Sequence, residues 1–323
     1  MRRRTFRRFG KKRIIVAFIS FIMLAIWSLF SPNENLQNID IATTTNADKF
    51  SRDFIRVCSW NVHNYNVSNR RASGGRWISY PKPENERNAV CEILAKIDAD
   101  VILLQEMGDI TYLRDLHSRL SKVGKEYSTA IVSAYDAPSR LAILSRIKPS
   151  KIFDFSDTQI IVKGEKTYSP RGTLGVKLDV AGEVFYAFSI HLKSKVGAKK
   201  KDEAFIPFRF AELRAIRKRV ESSVGKNAKI IYGGDFNDDP QRRFLRNLGD
   251  VELLQQYDML GFSHTYHWEK KNIFYKYDFF VVTQSLVPFI KDKAVIVPNG
   301  IASDHRPVYV DISVNSKEKV QKN

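Results

Sequence analysis

Five places in this sequence put a carboxylate, a carboxamide or an imidazole where a short apolar run stops or starts. Asn61 follows VCSW, Glu106 follows DVILLQ, His191 follows YAFSI, Asp235 and Asn237 follow KIIYGG, and Asp304 with His305 stands just before PVYVDI. Each alone has an ordinary use, as a turn cap, a helix cap or a surface carboxylate. Together they read as one site assembled from several loops on a rigid sheet. Glu and Asp beside Asn carboxamides are hard oxygen donors, which suit Mg²⁺ or Mn²⁺ holding phosphate oxygens and waters. Two imidazoles near such an ion can bind a phosphoryl oxygen or move protons. Phosphate ester hydrolysis needs an in-line water, neutralisation of phosphoryl charge and stabilisation of the leaving oxygen, and this set covers all three. No GxSxG or HExxH string occurs, so a peptidase is disfavoured.

The elements that must carry these groups are strands. FIRVCSW, DVILLQEM, TAIVSA, LAILS, TLGVKLDV, EVFYAFSI, KIIYGG, DFFVVT and PVYVDISV all have strand length and β-branched or aromatic content. Two amphipathic helices interleave. Residues 84–98 place Val90, Ile93, Leu94 and Ile97 on one face, and residues 208–222 do the same with Phe210, Leu213, Ile216 and Val220. The layout is α+β, many strands with few helices, and no repeat period stands out.

The strings SWNVHN, ILLQEM, SIHLKS, GGDFND, YDFFVV and SDHRPV, in that order between residues 59 and 308, resemble the endonuclease/exonuclease/phosphatase superfamily, to which deoxyribonuclease I belongs. The resemblance covers about residues 54–314. It implies a four-layered α/β sandwich with two central mixed β-sheets, here in a membrane-anchored, bacterial-type member. Carried over residue by residue, it implies Glu106 as principal metal ligand, Asn61 beside it and Asp304 near the ion. Asp235 would orient or deprotonate the attacking water, and Asn237 would hold the water or the phosphate. His305 would contact the scissile phosphate with Asp278 orienting its ring, and His191 would act from the other side with Asp136 as its carboxylate partner. Such partners fix the tautomer and raise imidazole basicity. Arg171 and Lys193 are expected at substrate phosphates. Where apurinic endonucleases carry an Asp two residues after the first Asn, this chain has His63, which weakens a two-metal reading.

Charge and hydropathy organise the rest. Lys and Arg number 53 against 35 Asp and Glu, a net +18. Eight of the cations fall in residues 1–13, and residues 50–315 keep about +10, which favours phosphate-bearing partners. Residues 14–30, IIVAFISFIMLAIWSLF, are uncharged, and as a helix would span about 25 Å, enough to cross a bilayer. Trp27, Leu29 and Phe30 are bulky where a cleavable signal has small residues, so an uncleaved anchor is expected, with secretion after cleavage as the alternative. Basic residues 1–13 would stay cytoplasmic and the body would lie across the membrane. Residues 31–50 read as a polar linker, 51–315 as the catalytic domain and 316–323 as a polar tail. Across the membrane Cys58 and Cys91 can pair; as a buried strand residue and a core-facing helix residue they can equally stay free.

Three features have two readings each. The basic loops 69–76 and 193–201 are either solvated surface or grips on substrate phosphate. His264 and His267 are three apart as in a zinc site, but lack further close ligands, so an aromatic rim is expected. There Tyr266 and Trp268 would stack on bases or lie against lipid. The expected function is a metal-dependent phosphoesterase acting on nucleic acid, with a lipid or inositol phosphoester as the alternative substrate. No obligate protein partner is evident. A non-catalytic binding module is disfavoured because Glu106, His191, Asp235, Asn237 and His305 are all present.

Overall fold

The strongest alternating and apolar runs become the centres of two sheets, and the polar residues at their ends are thereby brought to one edge of each. A computed structural model describes residues 37–40, 52–72, 74–195 and 206–314. In chain order the strands of the two sheets are β1 (Gln37–Asp40), β2 (Phe54–Tyr65), β3 (Val101–Met107), β4 (Thr129–Val132), β5 (Arg140–Ser145), β6 (Lys151–Asp154) and β7 (Thr173–Val180). They continue with β8 (Glu183–His191), β9 (Ile230–Asp235), β10 (Val251–Leu253), β11 (Gln256–Tyr257), β12 (Asp278–Thr283), β13 (Ala294–Ile296) and β14 (Val308–Ser313). The larger sheet has the order β1-β4-β5-β3-β2-β14-β13-β11, and the smaller β10-β12-β9-β8-β7-β6. Both are mixed: β2 and β3 run parallel, as do β8 and β9, among otherwise mostly antiparallel pairs.

Each of these two parallel pairs needs a crossover, and a helix supplies it. α1 (Glu84–Ile97) joins β2 to β3 and buries Val90, Cys91, Leu94 and Ile97. α2 (Ile110–Lys122) packs into the same cluster through Leu113, Leu116 and Leu120, and starts on Asp109, whose side chain accepts from the Thr111 amide at 2.9 Å. α3 (Ile206–Val224) joins β8 to β9 and, with α4 (Arg242–Leu245), covers the smaller sheet through Leu213, Ile216, Val220, Phe244 and Leu245. The two sheets meet face to face. Gly233 of β9 is packed so closely that a Cβ there would lie 2.4 Å from the Phe280 ring and 3.2 Å from Leu103 of the other sheet. A Cβ on Gly234 would fall 1.8 Å from the Ile190 carbonyl oxygen. The result is helix, sheet, sheet, helix: the expected four-layered sandwich. A polar stitch runs between the sheets, where Gln105 Nε2 donates to Ser189 Oγ at 3.0 Å.

Three expectations change or fall outside this description. Part of the expected linker pairs as β1, antiparallel to β4, with Gln37 opposite Val132 and Asp40 opposite Thr129. Cys58 and Cys91 are both free and buried, so no disulfide joins them. Among the described residues no helix is long and apolar enough to cross a membrane; the anchor expected at 14–30, the basic segment 1–13, most of the basic loop 193–201 and the tail 316–323 lie outside them.

Candidate active site

The strands that carry the polar groups end irregularly. Register shifts occur in β2 between Asn61 and Tyr65 and in the pairing of β3 between Leu104 and Met107. His63 (φ 46°), Asn64 (φ 52°) and Glu106 (φ 61°) adopt left-handed conformations that side chains avoid, at about 1–3 kcal/mol each. The irregularity aims the Asn61 amide and the Glu106 carboxylate at the same point. Asn61 Nδ2 donates to Glu106 Oε1 at 3.2 Å and to Asp235 Oδ2 at 3.1 Å, while Glu106 Oε2 accepts from the Asn64 amide at 2.9 Å.

The smaller sheet contributes through register. On β8, β9 and β12 the three residues His191, Asp235 and Asp278 are direct neighbours, His191 opposite Asp235 and Asp235 opposite Asp278. His191 Nε2 lies 3.5 Å from Asp235 Oδ2 and 3.9 Å from Glu106 Oε1. Asn237 (φ 51°) folds back so that its amide N donates to Asp235 Oδ1 at 2.8 Å, and its Nδ2 donates to Asp235 Oδ2 and the Leu192 carbonyl, both at 3.1 Å.

His305 completes the cluster. Its Nδ1 sits 2.8 Å from Asp278 Oδ2, and its Nε2 points to Asp235 Oδ2 at 3.9 Å. Four contacts seat it: Trp60 Nε1 donates to its carbonyl at 2.9 Å, its amide donates to Ser303 Oγ at 3.1 Å, Ser303 Oγ donates to the Asn61 carbonyl at 2.7 Å, and the Tyr266 ring packs against it at 4.7 Å between centroids. Asp278 is itself held by Thr265, whose hydroxyl accepts from its amide at 2.9 Å.

Burial divides the two imidazoles into different protonation states. Desolvation, reinforced by the charges of Arg171 and His305, drives the His191 pKa well below its ordinary value, so this ring is neutral. Burial acts the same way on His305, but the carboxylates of Asp278 and Asp235 and the bond to Asp278 overcome it and hold that pKa well above the ordinary value. Asp235 is raised, first by desolvation and then by Asp278 and Glu106, against the pull of His305. It is therefore a far better proton acceptor than an exposed carboxylate.

Most of the residues expected from sequence converge here, and some do not. Arg171 stands beside the cluster, its Nη1 donating to the Leu192 carbonyl at 3.2 Å. The Lys193 backbone is fixed by its amide's bond to Glu212 Oε2 at 2.9 Å. Asp304 lies at the rim, 40% exposed, with Oδ1 3.6 Å from His63 Nδ1. Asp136 is not the partner of His191: its side chain is fully exposed and pairs with Arg140 Nη2 at 3.1 Å. Its loop folds back on its own strand, with Arg140 Nε also bonded to the Ala137 carbonyl. Tyr266 is spent on the His305 ring, whereas Trp268, two residues out on the hairpin formed by Tyr266–Trp268 and Ile273–Tyr275, lies under Lys271 Nζ at 4.5 Å from its ring centroid. His267 stacks on Phe274 at 4.2 Å and His264 packs against the same ring at a tilt, 4.6 Å away, which is the aromatic rim rather than a zinc site. Gln105, Thr265 and Ser303, which orient the site from behind, were not singled out from sequence, although Ser303 is part of the SDHRPV string.

Asp235, Asp278 and His305 also come close enough together to chelate an ion. That arrangement is better explained as a hydrogen-bonded dyad beside a base, since ligation through His305 Nδ1 would break its bond to Asp278. The carboxylate that suits a hard cation is Glu106, 20% exposed and held beside Asn61.

A neutral imidazole and a cationic one flanking a basic carboxylate, on the ends of two packed sheets, define a phosphoester hydrolase of the sandwich type. The chain belongs to the endonuclease/exonuclease/phosphatase family, which matches residues 58–305. Three solved structures are similar in fold. The endonuclease/exonuclease/phosphatase from Bacteroides vulgatus is 17% identical, covering 82% of this chain and 100% of its own with a TM-score of 0.58. The human Nocturnin catalytic domain, solved with a bound sulfate anion, is 17% identical, covering 86% and 97% with a TM-score of 0.56. A double mutant of beta toxin from Staphylococcus aureus, solved with bound magnesium ions, is 15% identical, covering 81% and 100% with a TM-score of 0.57. No curated protein matches the chain by sequence.

Proposed function

We propose that the chain is a Mg²⁺- or Mn²⁺-dependent phosphodiesterase whose substrate is nucleic acid, tethered to a membrane by residues 14–30 with its catalytic domain on the extracytoplasmic side. The observation that carries the chemistry is the placement of Asp235 between a neutral His191 and a cationic His305. Glu106 with Asn61 would hold the ion, with Asp304 near it, and when bound it would neutralise phosphoryl charge. Asp235 takes a proton from the attacking water, which Asn237 helps to aim. His191, as a neutral ring, donates a hydrogen bond to a phosphoryl oxygen, backed by the charge of Arg171. His305 binds the phosphate as a cation through Nε2 and can pass a proton to the leaving oxygen, while Asp278 on Nδ1 keeps its ring oriented and charged.

Nucleic acid is favoured by the excess of basic residues in the body. A lipid phosphoester is the second reading, favoured by one feature. The turn carrying Met259 (95% exposed) and Leu260 (80% exposed) is strapped to the residue after His305 by Arg306 Nη2 and Asp258 Oδ2 at 2.8 Å, which puts bare apolar groups at the rim of the site.

The test uses the detergent-solubilised full chain with Mg²⁺, offered plasmid DNA, single-stranded DNA, RNA, bis-p-nitrophenyl phosphate, sphingomyelin and inositol phosphates beside the His305→Ala variant. Cleavage of nucleic acid that the variant lacks is expected. Hydrolysis of only the lipid or small phosphoesters would discard the nuclease, and full activity in EDTA would discard the metal. Protease protection of spheroplasts tests the topology: a C-terminal tag shielded by the inner membrane would reverse it.

A further inference from the structure

Away from the catalytic groups, the structure has a second concentration of charge with a shape of its own. A cleft of about 600 Å³ lies between the rear half of α3 and the Arg246–Leu248 turn that follows α4. Its lining includes Arg214, Arg217, Lys218, Lys226 and Arg246 against a single carboxylate, Glu221. Residues 214, 217, 218 and 221 follow the three- and four-residue spacing that puts them on one stripe of the helix.

Two of these cations are fixed in place. Arg214 Nη1 donates to Asn247 Oδ1 at 2.9 Å, and that amide is itself tied down by its bonds to the Arg243 and Phe244 carbonyls at 3.1 and 2.9 Å. Arg217 Nε donates to Glu221 at 2.8 Å, and its guanidinium lies so close over Gly249 that a Cβ there would come within 2.9 Å of it. A concave wall of like charges, two of them held by neighbouring groups, is unfavourable without a counter-charge and is suited to a polyanion.

We propose that this cleft is an accessory site for the phosphodiester backbone of a nucleic acid. Along α3, Arg214 to Lys218 lie about 8–14 Å beyond Arg209, at 1.5 Å per residue. Arg209 itself contacts Asp238 and the Lys193 carbonyl beside the catalytic loops. At about 3.4 Å per nucleotide of a strand, that length of helix corresponds to about two to four nucleotides, so the cleft receives phosphates beyond those held at the site. The face carries no apparatus for bases, so the contact is to backbone and independent of sequence. A nucleic acid fits better than a bilayer, because none of the exposed large apolar side chains of the described structure lies between residues 206 and 250, whereas a lipid-docking face pairs cations with such groups. The inference rests on the nucleic-acid reading of the active site, and its test separates the two.

Binding is measured on the full chain carrying His305→Ala, in EDTA, by fluorescence anisotropy of a labelled 20-base-pair duplex over a range of salt. Adding Arg214→Glu, Lys218→Glu and Arg246→Glu together is expected to weaken binding at least tenfold and to reduce the log–log salt slope by about 2 to 3, near 0.9 per lost phosphate contact. Unchanged affinity and slope would overturn the site. In the catalytically intact chain the same triple change should raise KM for the duplex and leave hydrolysis of bis-p-nitrophenyl phosphate as it was. Equal loss on both substrates, or an altered circular dichroism melt, would show damage to the fold and overturn the assignment. Loss of binding to phosphatidylglycerol vesicles with duplex affinity retained would assign the cleft to lipid and overturn it as well. A wild-type chain that binds the duplex through the cleft and cleaves no nucleic acid would sink the proposed activity while leaving this site standing.

Discussion

Changing Asp278 to Asn isolates what the buried carboxylate does for His305. The two side chains meet at 2.8 Å, Asp278 Oδ2 to His305 Nδ1, and both are almost fully buried. The other oxygen, Asp278 Oδ1, is buried with no hydrogen-bond partner. An asparagine can therefore keep its carbonyl oxygen on the Nδ1 proton and preserve the tautomer, so what is lost is charge. Unit charges with centres about 4 Å apart interact by about 4 kcal/mol at an effective dielectric of 20. The amide dipole recovers part of this, leaving a loss of about 2–3 kcal/mol in stabilising the imidazolium. At 1.36 kcal/mol per decade, turnover should fall about 30- to 150-fold. His305 should also titrate at lower pH, because its strongest charge-stabilising neighbour has gone. The assays are steady-state hydrolysis of bis-p-nitrophenyl phosphate with saturating Mg²⁺ and NMR titration of the His305 ring. A folded variant with turnover within threefold of wild type, or an unmoved His305 titration, would refute the role given to Asp278.

Gly234→Ala drives a Cβ into the Ile190 carbonyl in the centre of the smaller sheet and should cost about 3 kcal/mol, or roughly 6–12 °C in Tm; a shift under 3 °C by calorimetry would show that the strands part easily. Burial opposes ionisation of Asp98, but bonds from Lys125, Arg146 and Arg52 outweigh it and hold its pKa below the ordinary carboxylate range. That stability is present above the unfolded pKa and lost as pH falls through the folded one, so Asp98→Asn, which tolerates the left-handed cap (φ 53°), should lower Tm at pH 7 and by clearly less at pH 2; an equal loss at both would contradict the charge argument. Gln105→Met removes the stitch between the sheets along with a buried, unpartnered Oε1, so stability should change by only about 1 kcal/mol while turnover falls about tenfold or more; full activity would mean the sheets need no such alignment.

What the sequence made legible follows from what strands do to their ends. The long central strands announce themselves by composition, and the group at the end of each lands at the site because the strands share a register. β10, β11 and β13 are two or three residues long and lie at or next to a sheet edge, too short to show a pattern, and β1 sits in a polar stretch that reads as a tether. α2 carries a readable signal, Asp109 as its cap with Leu113, Leu116 and Leu120 behind it, but it lies outside the two helices singled out. Asp136 misled because a carboxylate near a known position says nothing about loop direction, and here Arg140 four residues on claims it. The same limit applies to Gln105. It reads as the polar end of an apolar strand, and only the packing of one sheet on the other reveals that its amide reaches Ser189.

That stitch bears on why the site takes this form. Asn61, Glu106 and His305 belong to the larger sheet and its following loop, whereas His191, Asp235 and Asp278 belong to the smaller one. No single sheet contains both a base and its cationic partner. The 3.1 Å contact of Asn61 with Asp235 and the 2.8 Å contact of His305 with Asp278 both cross the interface between the sheets. A displacement of about 1 Å there would break each of them and is worth about a hundredfold in rate. The close packing at Gly233 and Gly234 and the bond from Gln105 to Ser189 therefore act on the chemistry as much as on stability. Left-handed backbone at Glu106 and Asn237, one beside each sheet, is tolerated at that seam because it turns each side chain back onto a neighbour of its own sheet, Glu106 onto Asn61 and Asn237 onto Asp235.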